Sequence, residues 1–158
     1  MGRGVEVESR AVAELSPAER ALWAQFRAPN PALYSPYFDL RYIEAAARVA
    51  PGAAVAVIRR DREVAAFLPF QRRGGLLQPL AAPLTDYHGL IAPPGAEIDL
   101  RHVVEQLGAR RFRFNGLMDR GAGGGEGPRP RPAPIAEPAE GPGAKLADRD
   151  GGRQRAAR

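Results

Sequence analysis

The chain has 158 residues, with 23 basic and 18 acidic side chains, two histidines and no cysteine. This length predicts a single domain of modest size. The lack of cysteine excludes a disulfide framework, a zinc ribbon and a thiol nucleophile. No apolar run reaches the roughly 18 residues of a membrane span, and the opening MGRGVEVESR has no apolar signal region. We therefore expect a soluble, cytoplasmic protein without a membrane span.

The positive charge is modest in both parts of the chain. Residues 1–118 hold 15 basic and 12 acidic side chains, a net +3, and residues 119–158 hold 8 and 6, a net +2. Arginines gather at 59–62, 72–73 and 110–113, at the expected ends of elements, where a solvated surface is the usual explanation. A nucleic-acid site needs basic residues on one face with aromatics between them. We therefore expect no nucleic-acid partner.

Two helices are predicted after a short first strand. The run VEVE at 5–8 alternates apolar and acidic residues, which is typical of a strand with one apolar face. SPAE at 16–19 supplies a capping serine, a first-turn proline and a capping-box glutamate, so a helix should run to about residue 27. A second helix is expected from Ser35–Pro36 to about residue 49, because its apolar residues recur at helical spacing.

A hairpin and several short strands follow. The β-rich runs at 53–60 and 63–71 flank the charged turn Asp61–Arg62, and this arrangement predicts a hairpin. Pro69 should need an edge position or a bulge, because it cannot donate to a ladder. Further expected elements are strands at 76–80, 88–92 and from 112, and a helix at 99–107. The order predicts an α/β or α+β mixed sheet with an antiparallel middle and flanking helices. The side chains expected in its core are Trp23, Phe26, Phe38, Ile43, Val55, Val57, Phe67 and Leu68.

Composition changes near Met118. Residues 119–158 hold 9 of the 18 glycines and 6 of the 16 prolines, with no aromatic residue. Such a segment cannot bury enough apolar surface to offset its chain entropy. We therefore expect a folded domain at 1–118 and a disordered tail at 119–158. A shifted reading frame in a GC-rich gene would produce this mixture of Gly, Ala, Pro and Arg, so a truncated or frameshifted ending is preferred over a natural tail.

Four pieces of the sequence carry a family resemblance. They are W-x-x-F at 23–26, NPxLYSPYF at 30–38, the hairpin at 54–71 with its Leu-Pro-Phe element, and PLTDYHGLI at 83–91. Together they resemble the amino-terminal half of GNAT-type N-acetyltransferases of the CelD/BcsL group, over about residues 12–117. The resemblance implies a GNAT-like half-domain and acyl transfer from acetyl-CoA to a small-molecule or sugar amine. It also implies a link to cellulose or other exopolysaccharide biosynthesis.

The acetyl-CoA loop of such enzymes is missing from residues 1–118. GNAT enzymes hold the pyrophosphate in an R/Q-x-x-G-x-G/A loop at a helix start, where free amides face the phosphates. The stretch from Gln71 to Gly75 has Leu76 where the next glycine belongs, and a β-turn explains it better. Gly121 to Gly125 is better explained as a linker. Acetyl-CoA thus follows from the resemblance only, its binding residues are unassigned, and the chain is expected to be inactive alone.

Asp86, Tyr87 and His88 form the densest cluster of side chains able to move protons. Amide formation from a thioester needs a base for the ammonium proton and an acid for the thiolate. His88 is the candidate base, Tyr87 the candidate acid, and Asp86 the orienting or acceptor-binding group. Successive strand residues point to opposite faces, so at most Asp86 and His88 share a side. The alternative is a structural loop in which Asp86 caps a turn and His88 packs beside Tyr87.

Two functions of different classes remain open. With two histidines and no cysteine, the sequence offers no metal-ligand spacing, and His102 is expected on a helix surface. One candidate is a GNAT-type acyltransferase half. The other is a noncatalytic interaction domain that keeps the fold without the cofactor loop.

Overall fold

A computed structural model of the chain describes residues 4–85 and 87–114, together with the backbone of 117–118. Its helices are α1 (Pro17–Arg27), α2 (Leu40–Val49) and α3 (Leu100–Gln106). Its strands are β1 (Val5–Arg10), β2 (Ala53–Arg60), β3 (Glu63–Arg73), β4 (Leu76–Gln78), β5 (His88–Gly89), β6 (Arg111–Phe112) and β7 (Leu117–Met118). The predicted tail at 119–158 lies outside the described residues.

The main sheet has five strands in the order β1-β2-β3-β4-β6. Its neighbours are antiparallel from β1 to β4, and β6 then joins β4 in parallel. β5 and β7 form a separate parallel pair. A mixed sheet with flanking helices and an antiparallel middle was the expected class, and it is confirmed. None of the helices in this part of the chain has the length and apolar character needed to cross a bilayer.

The start of α1 is fixed by the predicted capping box. The Ser16 hydroxyl accepts a hydrogen bond from the Glu19 amide at 3.2 Å, and the Glu19 carboxylate accepts one from the Ser16 amide at 2.9 Å. Glu19 is buried and also pairs with Arg10 and Arg59 at 3.0 and 2.9 Å. Burial alone would raise the pKa of Glu19, but the Ser16 hydrogen bonds and the two guanidinium charges hold it below its ordinary value. These bonds tie α1 to β1 and β2.

The second predicted helix starts later than expected. Pro36–Phe38 forms a short 3₁₀ turn capped by Ser35, and α2 begins only at Leu40. Asp39 separates the two in an extended conformation, and its side chain accepts a hydrogen bond from the Arg41 amide at 2.9 Å. The expected single helix from Ser35 is therefore wrong, because Asp39 caps a new helix within it.

The hairpin of β2 and β3 is confirmed. Asp61 and Arg62 both have positive φ, 53° and 71°, as a two-residue turn between twisted strands requires.

Two other predicted strands are shorter than expected. β4 ends before Pro79, which cannot donate to a ladder. The strand expected at 88–92 is reduced to β5 and a single bridge between Ile91 and Phe67.

The core lies on both faces of the sheet. Strand alternation sends Val55, Val57 and Phe67 toward α1 and α2, while their neighbours face α3. Trp23 packs against Phe67 with ring centroids 5.1 Å apart. Seven of the eight predicted core side chains are buried, and Phe26 is half-buried against the same cluster. The sheet is therefore covered by α1 and α2 on one side and by α3 on the other.

Candidate functional site

The predicted site residues lie at the end of the loop between β4 and β5 and at the start of β5. A hydrogen bond from α2 holds this loop in place. Because a carbonyl oxygen can only accept, the Thr85 hydroxyl donates its hydrogen to the Leu80 carbonyl oxygen. The Tyr42 hydroxyl must then donate to the Thr85 oxygen, 2.8 Å away. The Tyr42 oxygen keeps lone pairs that can accept a further hydrogen bond. Asp86 lies outside the described residues, so its predicted orienting role stays a prediction.

His88 is buried at the start of β5, with 2% of its surface exposed. Its Nε2 lies 2.7 Å from the Pro69 carbonyl oxygen and must carry the hydrogen of that bond. Its ring contacts Phe112 with centroids 5.3 Å apart. The ring therefore links β3 to β6.

The hydrogen bond between His88 and Pro69 shows how a proline is accommodated in β3. The expected edge position at Pro69 is met locally. β3 is an interior strand, but its ladder with β4 begins at Gln71, so the side of β3 away from β2 has no ladder partner at Pro69 in the described part of the chain. The irregularity of the ladder between β3 and β2 lies elsewhere, so the alternative of a bulge does not apply. Phe67 exchanges both backbone bonds with Ile91, and Gln71 pairs with β4. Pro69 lies between these two contacts, on the same side of the strand. Its missing N–H thus falls in a gap, and His88 supplies the donor for its carbonyl.

The protonation state of His88 follows from its burial. Desolvation lowers the pKa of His88 to about 4, against the opposing effect of its hydrogen bond to the Pro69 carbonyl. The ring is therefore neutral at pH 7, with the proton on Nε2. Its Nδ1 has no hydrogen-bond partner among the described residues. This nitrogen can only accept.

Tyr87 and His88 are not brought together. Tyr87 is 43% exposed and its ring lies 6.1 Å from that of Tyr37. Tyr37 in turn meets Tyr42 edge to face at 5.3 Å. We call Tyr37, Tyr42 and Tyr87 the tyrosine cluster. The opposite exposure of Tyr87 and His88 agrees with the alternation expected along a strand.

The tyrosine cluster was not predicted from the sequence. Tyr37 and Tyr42 were expected in one helix, and nothing local indicates that a loop about 50 residues after Tyr37 places Tyr87 against it. The only available signal was that three of the four tyrosines lie in the motifs at 30–38 and 83–91, and that the fourth, Tyr42, follows the first motif by four residues.

The candidate phosphate loop at Gln71 is a turn. Gln71 ends the buried part of β3, and its side chain donates to the Pro51 carbonyl oxygen at 2.9 Å. Gly74 and Gly75 connect β3 to β4, and no helix starts there. The expected β-turn is confirmed. The second candidate at 121–125 lies outside the described residues.

Several predicted surface arginines have structural partners. Arg59 pairs with Glu19, Arg60 donates to the Glu97 carbonyl oxygen, and Arg72 donates to the Leu107 carbonyl oxygen. His102 is exposed on α3, as expected. Within residues 4–85 and 87–114, no three His, Asp or Glu side chains gather closely enough to hold a metal ion.

Comparisons of the chain with protein-family models, with curated proteins and with solved structures find no match.

Proposed function

We propose that this chain is the amino-terminal half of a GNAT-type N-acetyltransferase of the CelD/BcsL group, and that it holds the amine acceptor. The supporting observation is that the four pieces carrying the resemblance contact one another. The Trp23 indole donates to the Phe38 carbonyl oxygen at 2.9 Å and packs on Phe67. His88 bonds Pro69, and Tyr87 packs on Tyr37. The order of one strand, two helices and an antiparallel hairpin is also the order that the resemblance implies.

The tyrosine cluster suits an amine in its ammonium form. Aromatic faces attract cations through the ring quadrupole, and the cluster presents three rings within about 6 Å of their neighbours. The Tyr42 oxygen adds a hydrogen-bond acceptor, because its own hydrogen is committed to Thr85. We propose that the acceptor amine binds here, in exopolysaccharide or cellulose biosynthesis.

We assign His88 a positioning role in this function. An efficient general base has a pKa near the working pH, whereas burial holds the pKa of His88 at about 4. The bond to Pro69 instead fixes the strand that follows Tyr87. His88 therefore holds Tyr87 at the edge of the tyrosine cluster.

A noncatalytic interaction domain is the second candidate. The neutral, buried His88 favours it, because such a ring stabilises a loop without any chemistry. The two functions differ in ligand binding. The acceptor half should bind an amine at the tyrosine cluster, and the interaction domain should not.

An NMR titration of the full chain with glucosamine hydrochloride tests the proposal. We expect saturable shifts of the Tyr37, Tyr42 and Tyr87 ring signals, and at least about tenfold weaker binding of glucose, which lacks the cationic amine. Tyr87→Leu should weaken glucosamine binding by about fivefold or more. Tyr34→Leu is the matched control, since Tyr34 is 60% exposed, lies outside the tyrosine cluster, and its hydroxyl donates to the Ala28 carbonyl oxygen.

Each other outcome counts against the proposal. If glucosamine gives no saturable shift, the acceptor half is refuted and the interaction domain is favoured. If glucose binds as well as glucosamine, the site does not select an amine. If Tyr34→Leu weakens binding as much as Tyr87→Leu, the tyrosine cluster is not where the amine binds.

A further inference from the structure

A groove of about 490 Å³ lies between α3 and β6, on the side of the sheet away from α1 and α2. We call it the α3–β6 groove. Its volume falls in the range of pockets that take small organic molecules, about 300–1,000 Å³. It is lined by residues other than those of the tyrosine cluster. It is therefore a separate candidate site.

The floor of the α3–β6 groove is apolar. Leu100 and Val104 contribute from α3, and Phe112 and Phe114 from β6 and the residues after it. Phe112 and Phe114 contact each other with ring centroids 5.7 Å apart, and Phe114 is 49% exposed. An exposed aromatic ring next to a second ring, inside a concavity, favours contact with an apolar ligand.

The rim of the groove is positively charged. Arg101, Arg110 and Arg111 line it together with a single carboxylate, Glu105, which gives a net charge of +2. All four side chains are exposed. None of the three guanidinium groups makes a hydrogen bond or ion pair with another residue in the described part of the chain. Elsewhere in the domain, Arg10, Arg27 and Arg59 are all paired with carboxylates. The groove thus keeps cations that are available to a ligand.

We propose that the α3–β6 groove binds a small organic anion, in which one carboxylate or phosphate is attached to an apolar body. The apolar body would lie on Phe112 and Phe114. The oxyanion would be held by the arginines, whose planar N–H groups match carboxylate and phosphate oxygens. Glu105 opposes the anion and therefore limits its affinity. A peptide strand fits less well, because β6 is only two residues long.

The proposal can be tested with probe molecules that contain both an apolar body and an oxyanion, and with molecules that contain only one of the two. The full chain is titrated with 4-phenylbutyrate and with phenyl phosphate, and separately with 4-phenylbutanol, acetate and inorganic phosphate. We expect each complete probe to bind at least about tenfold more tightly than its halves, since both the rings and the arginines contribute. The stronger of the two complete probes identifies the oxyanion.

Variants that should weaken binding and one that should strengthen it test whether the probes bind in the α3–β6 groove. Arg111→Gln and Phe114→Ala should each weaken binding of the preferred probe by about fivefold or more. Glu105→Gln should strengthen it by about two- to fivefold, because it removes a repulsive charge. Arg113→Gln is the matched control, since Arg113 is also exposed and does not line the groove. Its affinity should stay within about twofold of wild type.

Several results would overturn the proposal. An equal loss in Arg113→Gln and Arg111→Gln would mean that only the overall charge matters. An unchanged or weaker affinity in Glu105→Gln would place the anion elsewhere. Binding of an acidic peptide such as acetyl-DVDVD-amide, with no binding of either complete probe, would show a peptide surface instead. A dimer in sedimentation that Phe114→Ala dissociates would show that a second copy covers the groove.

Discussion

Acidification from pH 7 to pH 5 should destabilise the protein through His88. Burial lowers the pKa of His88 from 6.5 to about 4 in the folded chain, whereas the unfolded chain keeps the ordinary value. The unfolded state therefore takes up the proton at a higher pH, and the free energy of unfolding falls as the pH drops through this interval. The full shift corresponds to about 3 kcal/mol, of which about 2 kcal/mol is lost between pH 7 and pH 5.

This pH interval isolates His88 from the shifted carboxylates. A hydrogen bond from Arg41 lowers the pKa of Asp39 to about 2, and Glu19 also has a pKa below its ordinary value. Their stabilising contributions are present above the unfolded pKa values and are lost only as the pH falls below about 4.5. The loss between pH 7 and pH 5 therefore reports mainly on His88.

Urea unfolding followed by the fluorescence of Trp23, the single tryptophan, measures the loss. In His88→Asn, most of the difference in the free energy of unfolding between pH 7 and pH 5 should disappear, whatever the stability of this variant at pH 7. His102→Gln is the matched control and should keep it, since His102 is exposed. Coincident wild-type curves at the two pH values would refute the assignment of a buried, neutral His88. The assignment would also be refuted if the free energy of unfolding of His88→Asn fell between pH 7 and pH 5 as much as that of wild type.

Three further outcomes are expected. Gly52→Ala should lower the free energy of unfolding in urea by about 2 kcal/mol or more, because Gly52 has φ 76° and an added Cβ would lie 2.3 Å from the Arg72 carbonyl oxygen. Gly74→Ala, also at positive φ but with nothing within 4 Å of the added Cβ, should lower it clearly less. Equal losses in the two variants would contradict this. Trp23→Phe should cost about 1–3 kcal/mol, since a buried carbonyl oxygen loses its donor, and a thermal midpoint equal to that of wild type would argue against this bond. Acetyl transfer, where initial rates detect any, should fall less than about tenfold in His88→Asn, and a loss of about a hundredfold or more would identify His88 as a general base after all.

Local sequence signals predicted α1 but misplaced the start of α2. Ser16 and Ser35 both precede a proline, and each caps the turn that follows it. Only the first turn continues as an α-helix. The second stops because Asp39 is extended and the Phe38 carbonyl accepts its hydrogen bond from Trp23. That bond joins residues 15 positions apart, so no local pattern could reveal it.

The candidate site was predictable in residue type and not in geometry. The sequence singled out Tyr87 and His88, and strand alternation correctly separated them. The sequence could not show that His88 would donate a hydrogen bond to the Pro69 carbonyl. The unpaired position at Pro69 depends on where Ile91 and β4 pair with β3. Long-range packing likewise decides the tyrosine cluster and the α3–β6 groove.

Calorimetric titration of the full chain with acetyl-CoA, beside glucosamine under the same conditions, tests the central claim most directly. The claim is that this chain holds the acceptor and that residues 4–85 and 87–114 contain no loop for the cofactor pyrophosphate, since the stretch after Gln71 is a turn between strands. We predict saturable heat with glucosamine and no binding of acetyl-CoA below about 100 μM, an affinity of roughly 5 kcal/mol. A dissociation constant for acetyl-CoA in the low micromolar range, or no heat with glucosamine, would contradict the claim.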